Sequence, residues 1–169
     1  MNMAQKINKL VSVLSIMIMC CSAPGVMAQT VTKFDRSTFF TNIASKDLNA
    51  INSEIDVVQK SEEKQKEAFE GALMMKRAGL LSGPAKKLKE FKAGRIKLEG
   101  AIDKDQKNPE LKFLRLIIQE NAPGILGYNK ELEEDHKYVV ANFKTLPEAT
   151  QKAIRDYSKT SKIFTQSDF

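Results

Sequence analysis

The chain has 169 residues, 42% of them hydrophobic and 28% charged, with only eight Gly and five Pro. That is the composition of a globular domain with a core, and it argues against a disordered or low-complexity chain. The formal net charge of +6 is mild and there is no Trp. The profile is far from that of a nucleic-acid binder, which would pair a strong basic patch with stacking aromatics.

Residues 1–28 read as a secretory signal peptide. Lys6 and Lys9 form a positive start, Leu10 to Cys20 an apolar stretch broken only by Ser12 and Ser15, and Val26-Met27-Ala28 a cleavage site before Gln29. The apolar run is too short and wrongly flanked for a membrane span. A lipoprotein signal is the alternative, but the residues before Cys20 and Cys21 fit it poorly, Met19 in one case and Cys20 in the other. Cleavage removes both cysteines, so residues 29–169 would fold as a single domain without disulfides. Taking Lys6 and Lys9 from the 27 basic residues, against 21 acidic ones, leaves a net charge near +4.

Residues 29–33 suggest an extended arm. Phe34, Phe39, Phe40 and Ile43 suggest a short helix capped by Asp35 or Ser37. A clearer helix starts near Ser45, with Leu48, Ile51, Ile55 and Val58 at helical spacing and Asn49, Asn52, Glu54 and Gln59 largely outside that line. The next runs from about 62 to 78, burying Ala68, Phe69, Ala72, Leu73 and Met75, with Gly79 as its stop. Ser82-Gly83-Pro84 breaks the chain. A long helix follows to about Asp103, with Leu88, Phe91, Leu98, Ala101 and Ile102 on one broad face. Gly94 inside it either costs about 1 kcal/mol relative to Ala or permits close helix approach.

Asn108 to Asn129 is the stretch that organises the rest. Asn108 is a good N-cap, Pro109 suits the first helical position, and Glu110 complements the dipole. Leu111, Phe113, Leu114, Leu116, Ile117 and Ile118 then cover roughly 200° of the circumference, so neighbours must enclose this helix on several sides. Lys112, Arg115 and Gln119 fall on one narrow polar stripe expected to face water. Asn121-Ala122-Pro123-Gly124 ends the helix. Two more helices are predicted, one capped by Asn129 with Leu132, His136, Val139, Val140 and Phe143 inward, and one from Pro147 with Ala149, Ala153, Ile154 and Tyr157 inward. The tail from Ser161 is expected to fray. The predicted fold is all-α: a compact bundle of five or six antiparallel helices around a central helix at about 109–121. A tetratricopeptide pattern tried with Pro109 at its terminal position fails, since Ala101 stands where a large aromatic belongs and Lys97 where a small residue belongs.

Few residues could carry chemistry. His136 is the lone histidine. Glu133 and His136 make a Glu-x-x-His pair, but di-iron and zinc sites need further ligands that residues 29–169 lack. No cofactor or metal is expected, and His136 reads as a packed helix residue beside Val139 and Val140. Glu131, Glu133, Glu134 and Asp135 could supply the two acids of a glycosidase, yet adjacent acids at a helix start more often form a solvated face. Lys86, Lys87, Lys89, Lys92, Arg95 and Lys97, faced only by Glu90, could meet an anionic surface or simply keep the protein soluble. Ile125, Leu126 and Tyr128 could dock a protein partner in the cell envelope, or fold back to cap the central helix.

The block ELKFLRLIIQENAPGILGYN at 110–129, followed by ELEED at 131–135, resembles small exported helical proteins of Bacteroidota. The resemblance implies an envelope or extracellular address. The expected function is an exported, non-enzymatic module that binds or scaffolds another envelope or extracellular component. The alternatives are a carboxylate-pair hydrolase and a peripheral binder of membrane surfaces through helix 84–99.

Overall fold

The computed structural model describes residues 33–169; the expected signal peptide and most of the extended arm lie outside them. Seven α-helices occur among the described residues, and no strand. They are α1 (Arg36–Ala44), α2 (Leu48–Lys60), α3 (Lys66–Leu80), α4 (Pro84–Lys104), α5 (Pro109–Asn121), α6 (Leu132–Asn142) and α7 (Glu148–Ser158). The short helix expected from Phe34, Phe39, Phe40 and Ile43 is present as α1, and with it the total is seven rather than five or six.

Local chemistry sets several of the ends. The Asp35 carboxylate caps α1 by accepting from Thr38 N at 2.8 Å. α2 begins at Leu48 rather than near Ser45, capped by Asp47. The Asn108 side chain accepts from the backbone N–H of Glu110 and Leu111 at 3.0 and 3.4 Å, and Pro109 occupies the first turn of α5 as expected. α3 does not stop at Gly79; it continues to Leu80. The chain turns instead at Gly83, whose φ of 87° only glycine adopts easily.

α5 is the most enclosed of these helices, with nine of its 13 residues buried. α3 and α4 share the most extensive contact, α2 packs on α3, α6 on α5, and α1 touches α7, so the first and last helices meet. The α3–α4 approach is glycine on glycine. A Cβ added at Gly71 would stand 2.6 Å from the Gly94 carbonyl oxygen, and one at Gly94 would stand 2.6 Å from that of Gly71. Contact of backbone with backbone at that distance admits no side chain at either position, which gives Gly94 its packing role. Gly71, unremarked in the sequence, is its partner.

A train of aromatic rings ties the ends of the chain to the centre. Phe39 meets Phe69 edge-on at 4.8 Å, Phe40 lies 5.7 Å from Phe113, and Phe113 lies 6.1 Å from Phe164. The C-terminal segment, for which fraying is expected from the sequence, packs against the bundle. Phe164 is fully buried, and Phe169 stacks at 4.5 Å from Phe143. Glu120 holds the backbone there, accepting from Ser161 Oγ at 2.7 Å and from Lys162 N. Three apolar side chains and one well-placed acceptor outweigh the polar composition of the tail.

Three further expectations change. Leu88, assigned to the inner face of α4, is exposed. Glu54 on α2 is buried with one carboxylate oxygen lacking a partner. The polar stripe of α5 does not face water: Lys112, Arg115 and Gln119 are all buried.

Candidate functional site

The buried stripe is explained by α6. Asp135, the last acid of Glu133-Glu134-Asp135, has no exposed surface. It receives Arg115 as a two-pronged fork. Arg115 Nε donates to Oδ2 at 2.6 Å and Nη2 to Oδ1 at 2.8 Å. Lys112 Nζ reaches the same carboxylate at 3.4 Å and lies 5.0 Å from the centre of the Tyr138 ring. Arg115 Nη1 donates to Glu99 Oε2 of α4 at 3.0 Å, and the Tyr128 hydroxyl donates to Glu99 Oε1. Two cations thus meet two carboxylates across three helices. Burial opposes the Arg115 charge, but the Asp135 hydrogen bonds, followed by Glu99, hold its pKa above the ordinary range. Burial first, and then Glu99, keeps the Tyr128 phenol protonated far above its usual range.

This seam has the composition of a catalytic cluster without the geometry of one. Catalysis by a carboxylate pair needs one acid held neutral and another ionised beside open space. Here Asp135 is closed off by its cations, Glu133 and Glu134 point to solvent, and Glu131 accepts from Gln119 Nε2 at 2.8 Å. The four clustered acids therefore separate, and Asp135 leaves the solvated face predicted for it. His136, half-buried, packs with its ring 4.9 Å from that of Phe164, and its Nε2 is 3.4 Å from Asp168 Oδ2. Among the described residues, no group of three or more His, Cys, Asp or Glu side chains is arranged to hold a metal ion.

A second network is partly buried. Arg36 Nε bonds Glu110 Oε1 at 3.0 Å, Arg36 Nη1 reaches Glu63 Oε2 at 3.2 Å, and Thr150 donates to Glu110, which joins α1, α5 and α7. A surface hollow of about 540 Å³ along α7 is walled by Lys152, Asp156 and Lys159, but Asp156 takes both lysines at 2.7 and 2.6 Å. The two lysines draw its pKa down to about 2.

The outward face of α4 differs from all of these. Lys86, Lys87, Lys89, Lys92 and Arg95 are exposed, and among the described residues none of them pairs with an acid. Glu90, the one acid between Pro84 and Leu98, is turned toward α3, where Arg77 Nε donates to it at 2.8 Å. Lys97 leaves the group, bridging Glu67 and Glu70 at 2.6 and 3.0 Å. Lys87 lies on the far flank, with Nζ on the Gly79 carbonyl at 3.2 Å. Lys86, Lys89, Lys92 and Arg95 remain as a row at i, i+3 spacing, which places them as neighbours on the helix surface. Leu88 is 42% exposed and Ile96 is 75% exposed. They stand one turn either side of Lys92.

Ile125, Leu126 and Tyr128, grouped in the sequence, part company here. Tyr128 is buried edge-on against Phe91 of α4 at 5.6 Å, and Leu126 is half-buried against the core. Ile125 is 96% exposed. Gly127, at φ 57°, makes the turn between them, a conformation that suits glycine. Arg95 lies over the Tyr128 ring at 4.7 Å, a cation–π contact that fastens this loop to the flank of α4. The large exposed hydrophobics among the described residues are Leu88, Ile96 and Ile125, and all three sit on α4 or on the turn pinned to it. The basic row was legible in the sequence. Its aliphatic companions were not: the spacing assigns Leu88 to the buried face, and Ile96 carries no signal of its own.

No known family, curated protein or solved structure matches the chain.

Proposed function

We propose that the protein is an exported, non-enzymatic helical module that binds another component of the cell envelope or its surroundings, and that it does so through the outward face of α4. In this reading residues 1–28 are a signal peptide cleaved before Gln29, and the bundle is arranged around α5 as a rigid support. The observation that carries it is the contrast in charge satisfaction. The buried charges of the Arg115–Asp135 and Arg36–Glu110 networks are matched by partners within the fold. The row Lys86, Lys89, Lys92 and Arg95 meets no acid among the described residues, Arg95 resting on the Tyr128 ring, and stands beside exposed aliphatic side chains. Unmatched charge next to apolar surface on a helix with a fixed back is an interaction surface.

The test is retention of tagged, exported protein on an isolated envelope fraction. Wild type should be retained, and reversal of all four cations (Lys86, Lys89, Lys92 and Arg95 to Glu) should release it. Reversal of Lys137 and Lys144, exposed elsewhere on the surface, should not. Equal retention of both variants would remove α4 from the reading. N-terminal sequencing of the same material should begin at Gln29; a lipid-modified Cys20 or Cys21 would replace the free exported form with an anchored one.

A further inference from the structure

Resting on the reading of α4 as the binding face, we infer that its ligand is the surface of an anionic lipid bilayer. The face is unlike a protein-docking patch. A protein partner is met by a contiguous apolar core within a polar rim, whereas Leu88 and Ile96 are two helical turns apart with Lys92 between them. Aliphatic side chains spaced singly among lysines suit a lipid interface. Each can enter the headgroup layer alone, while the long lysine stems lie along the apolar boundary and keep their ammonium groups at the phosphates. The row of cations supplies the charge complementarity. Its unpaired state matters, because an acid beside each lysine would cancel the attraction.

The mounting of the helix fits the same use. Its buried side is fixed by the Gly71–Gly94 contact and by Phe91, Leu98 and Ile102 in the core. A helix 21 residues long is about 31 Å from end to end. It can lie in the plane of a membrane without rearrangement. Ile125, also exposed, stands on the turn that Tyr128 and Arg95 pin to the same helix. Among the described residues no helix is long and apolar enough to cross a membrane, so the contact is one of lying on the surface.

The experiment is co-sedimentation of the exported protein with vesicles of phosphatidylcholine alone, and with vesicles containing about one-third phosphatidylglycerol. Binding is expected to the second only. Each of Lys89→Gln and Lys92→Gln should weaken it roughly fivefold. Ile96→Ser with Leu88→Ser should also weaken it, although no charge has changed. Thermal melts of every variant check that the fold is intact, which exposed positions should allow. Binding that survives the two serine substitutions and disappears with salt alone would be unspecific charge attraction and would overturn the inference. Retention on a lipid-extracted envelope protein fraction, lost in the four-residue reversal and without vesicle binding, would overturn the lipid assignment while keeping α4 as the binding face. Failure to bind either would overturn both.

Discussion

α4 and α5 are neighbours that carry basic side chains between large apolar ones, and they treat them in opposite ways. On α5, Lys112 and Arg115 point into the protein, where Asp135 of α6 and Glu99 of α4 meet them. On α4, Lys86, Lys89, Lys92 and Arg95 point outward and meet no acid among the described residues. The apolar cover of α5 draws its cations inside, and distant segments decide whether they are met: Asp135 arrives 20 residues after Arg115, and among the described residues no acid arrives at the row on α4. A cation enclosed with its acid belongs to the folding energetics. A cation left free is available to something outside.

The largest expected effect breaks the enclosed half of the contrast. Asp135→Ala would leave the buried Arg115 guanidinium with Glu99 alone and the buried Lys112 ammonium with only the exposed Glu134, 3.9 Å away. Removing one partner of a buried pair costs about 3–5 kcal/mol, a large part of a typical margin of about 5–15 kcal/mol. Denaturant unfolding should show a midpoint far below wild type, or the variant should fail to accumulate. A small change would mean that water reaches the seam and that the two helices do not differ as described.

Lys112→Ala comes next, at about 1–2 kcal/mol, because Arg115 still satisfies Asp135 and one charged hydrogen bond of the set is lost. On a solvent-facing stripe, the same substitution would cost no more than about 0.5 kcal/mol. Chemical denaturation therefore separates the two placements of one residue directly.

How far the sequence could be read follows the same division between local and distant causes. The bounds of α5 were legible because Asn108, Pro109 and Pro123 act on their own neighbours. The enclosure of α5 was legible because its apolar residues cover most of the circumference. That enclosure implies more than a buried apolar face. If a helix is covered on nearly all sides, its polar residues are covered as well, and Lys112 and Arg115 then require a buried acid. Glu133-Glu134-Asp135 offered one, but adjacent acids at a helix start look alike until the face of α6 is known. Phe164 was hidden for a related reason. A single Phe in a polar tail carries no periodicity, and only the hole beside Phe113 shows where it belongs. Tyr128 could have been read as a cap or as a docking residue, and the acceptor that places it, Glu99, lies 29 residues earlier.

A buried acid without a cation sharpens the contrast from the other side. Glu54 of α2 receives one hydrogen bond, from Asn42 Nδ2 at 2.7 Å, and its other oxygen has no partner. Burial, helped by nearby Asp35 and opposed by the Asn42 hydrogen bond, raises its pKa above the ordinary 4.5. The folded state therefore holds this proton more tightly than the unfolded chain. Its contribution to stability is fully present below the unfolded pKa and is lost as pH rises through the folded one. Glu54→Gln should accordingly stabilise the protein at pH 7, by on the order of 1 kcal/mol. The advantage should shrink as pH falls toward 4.5, where wild type becomes protonated too. Thermal midpoints of the two proteins across that range check the sign. A gap that widens on acidification would mean that Glu54 is ionised and satisfied.

The smallest effect belongs to α4, and its direction matters more than its size. Lys92 has Lys89 three residues before it and Arg95 three residues after it, both exposed and of like charge. Like charges at this spacing on a helix repel by about 0.2–0.5 kcal/mol per pair, and opposite charges attract by a similar amount. Lys and Ala are both good helix formers, so Lys92→Ala should leave the thermal midpoint unchanged or slightly raised. Lys92→Glu turns two repulsions into two attractions and should raise stability by several tenths of a kcal/mol at low salt, with the gain fading as salt is added. On α5 the loss of the Lys112 charge should lower stability, whereas on α4 a reversal should improve it. A row of cations that the fold would be steadier without is not there for folding. If Lys92→Glu instead lowers the midpoint, Lys92 has an acid partner inside the molecule, and the distinction between the two helices, together with the binding role assigned to α4, fails.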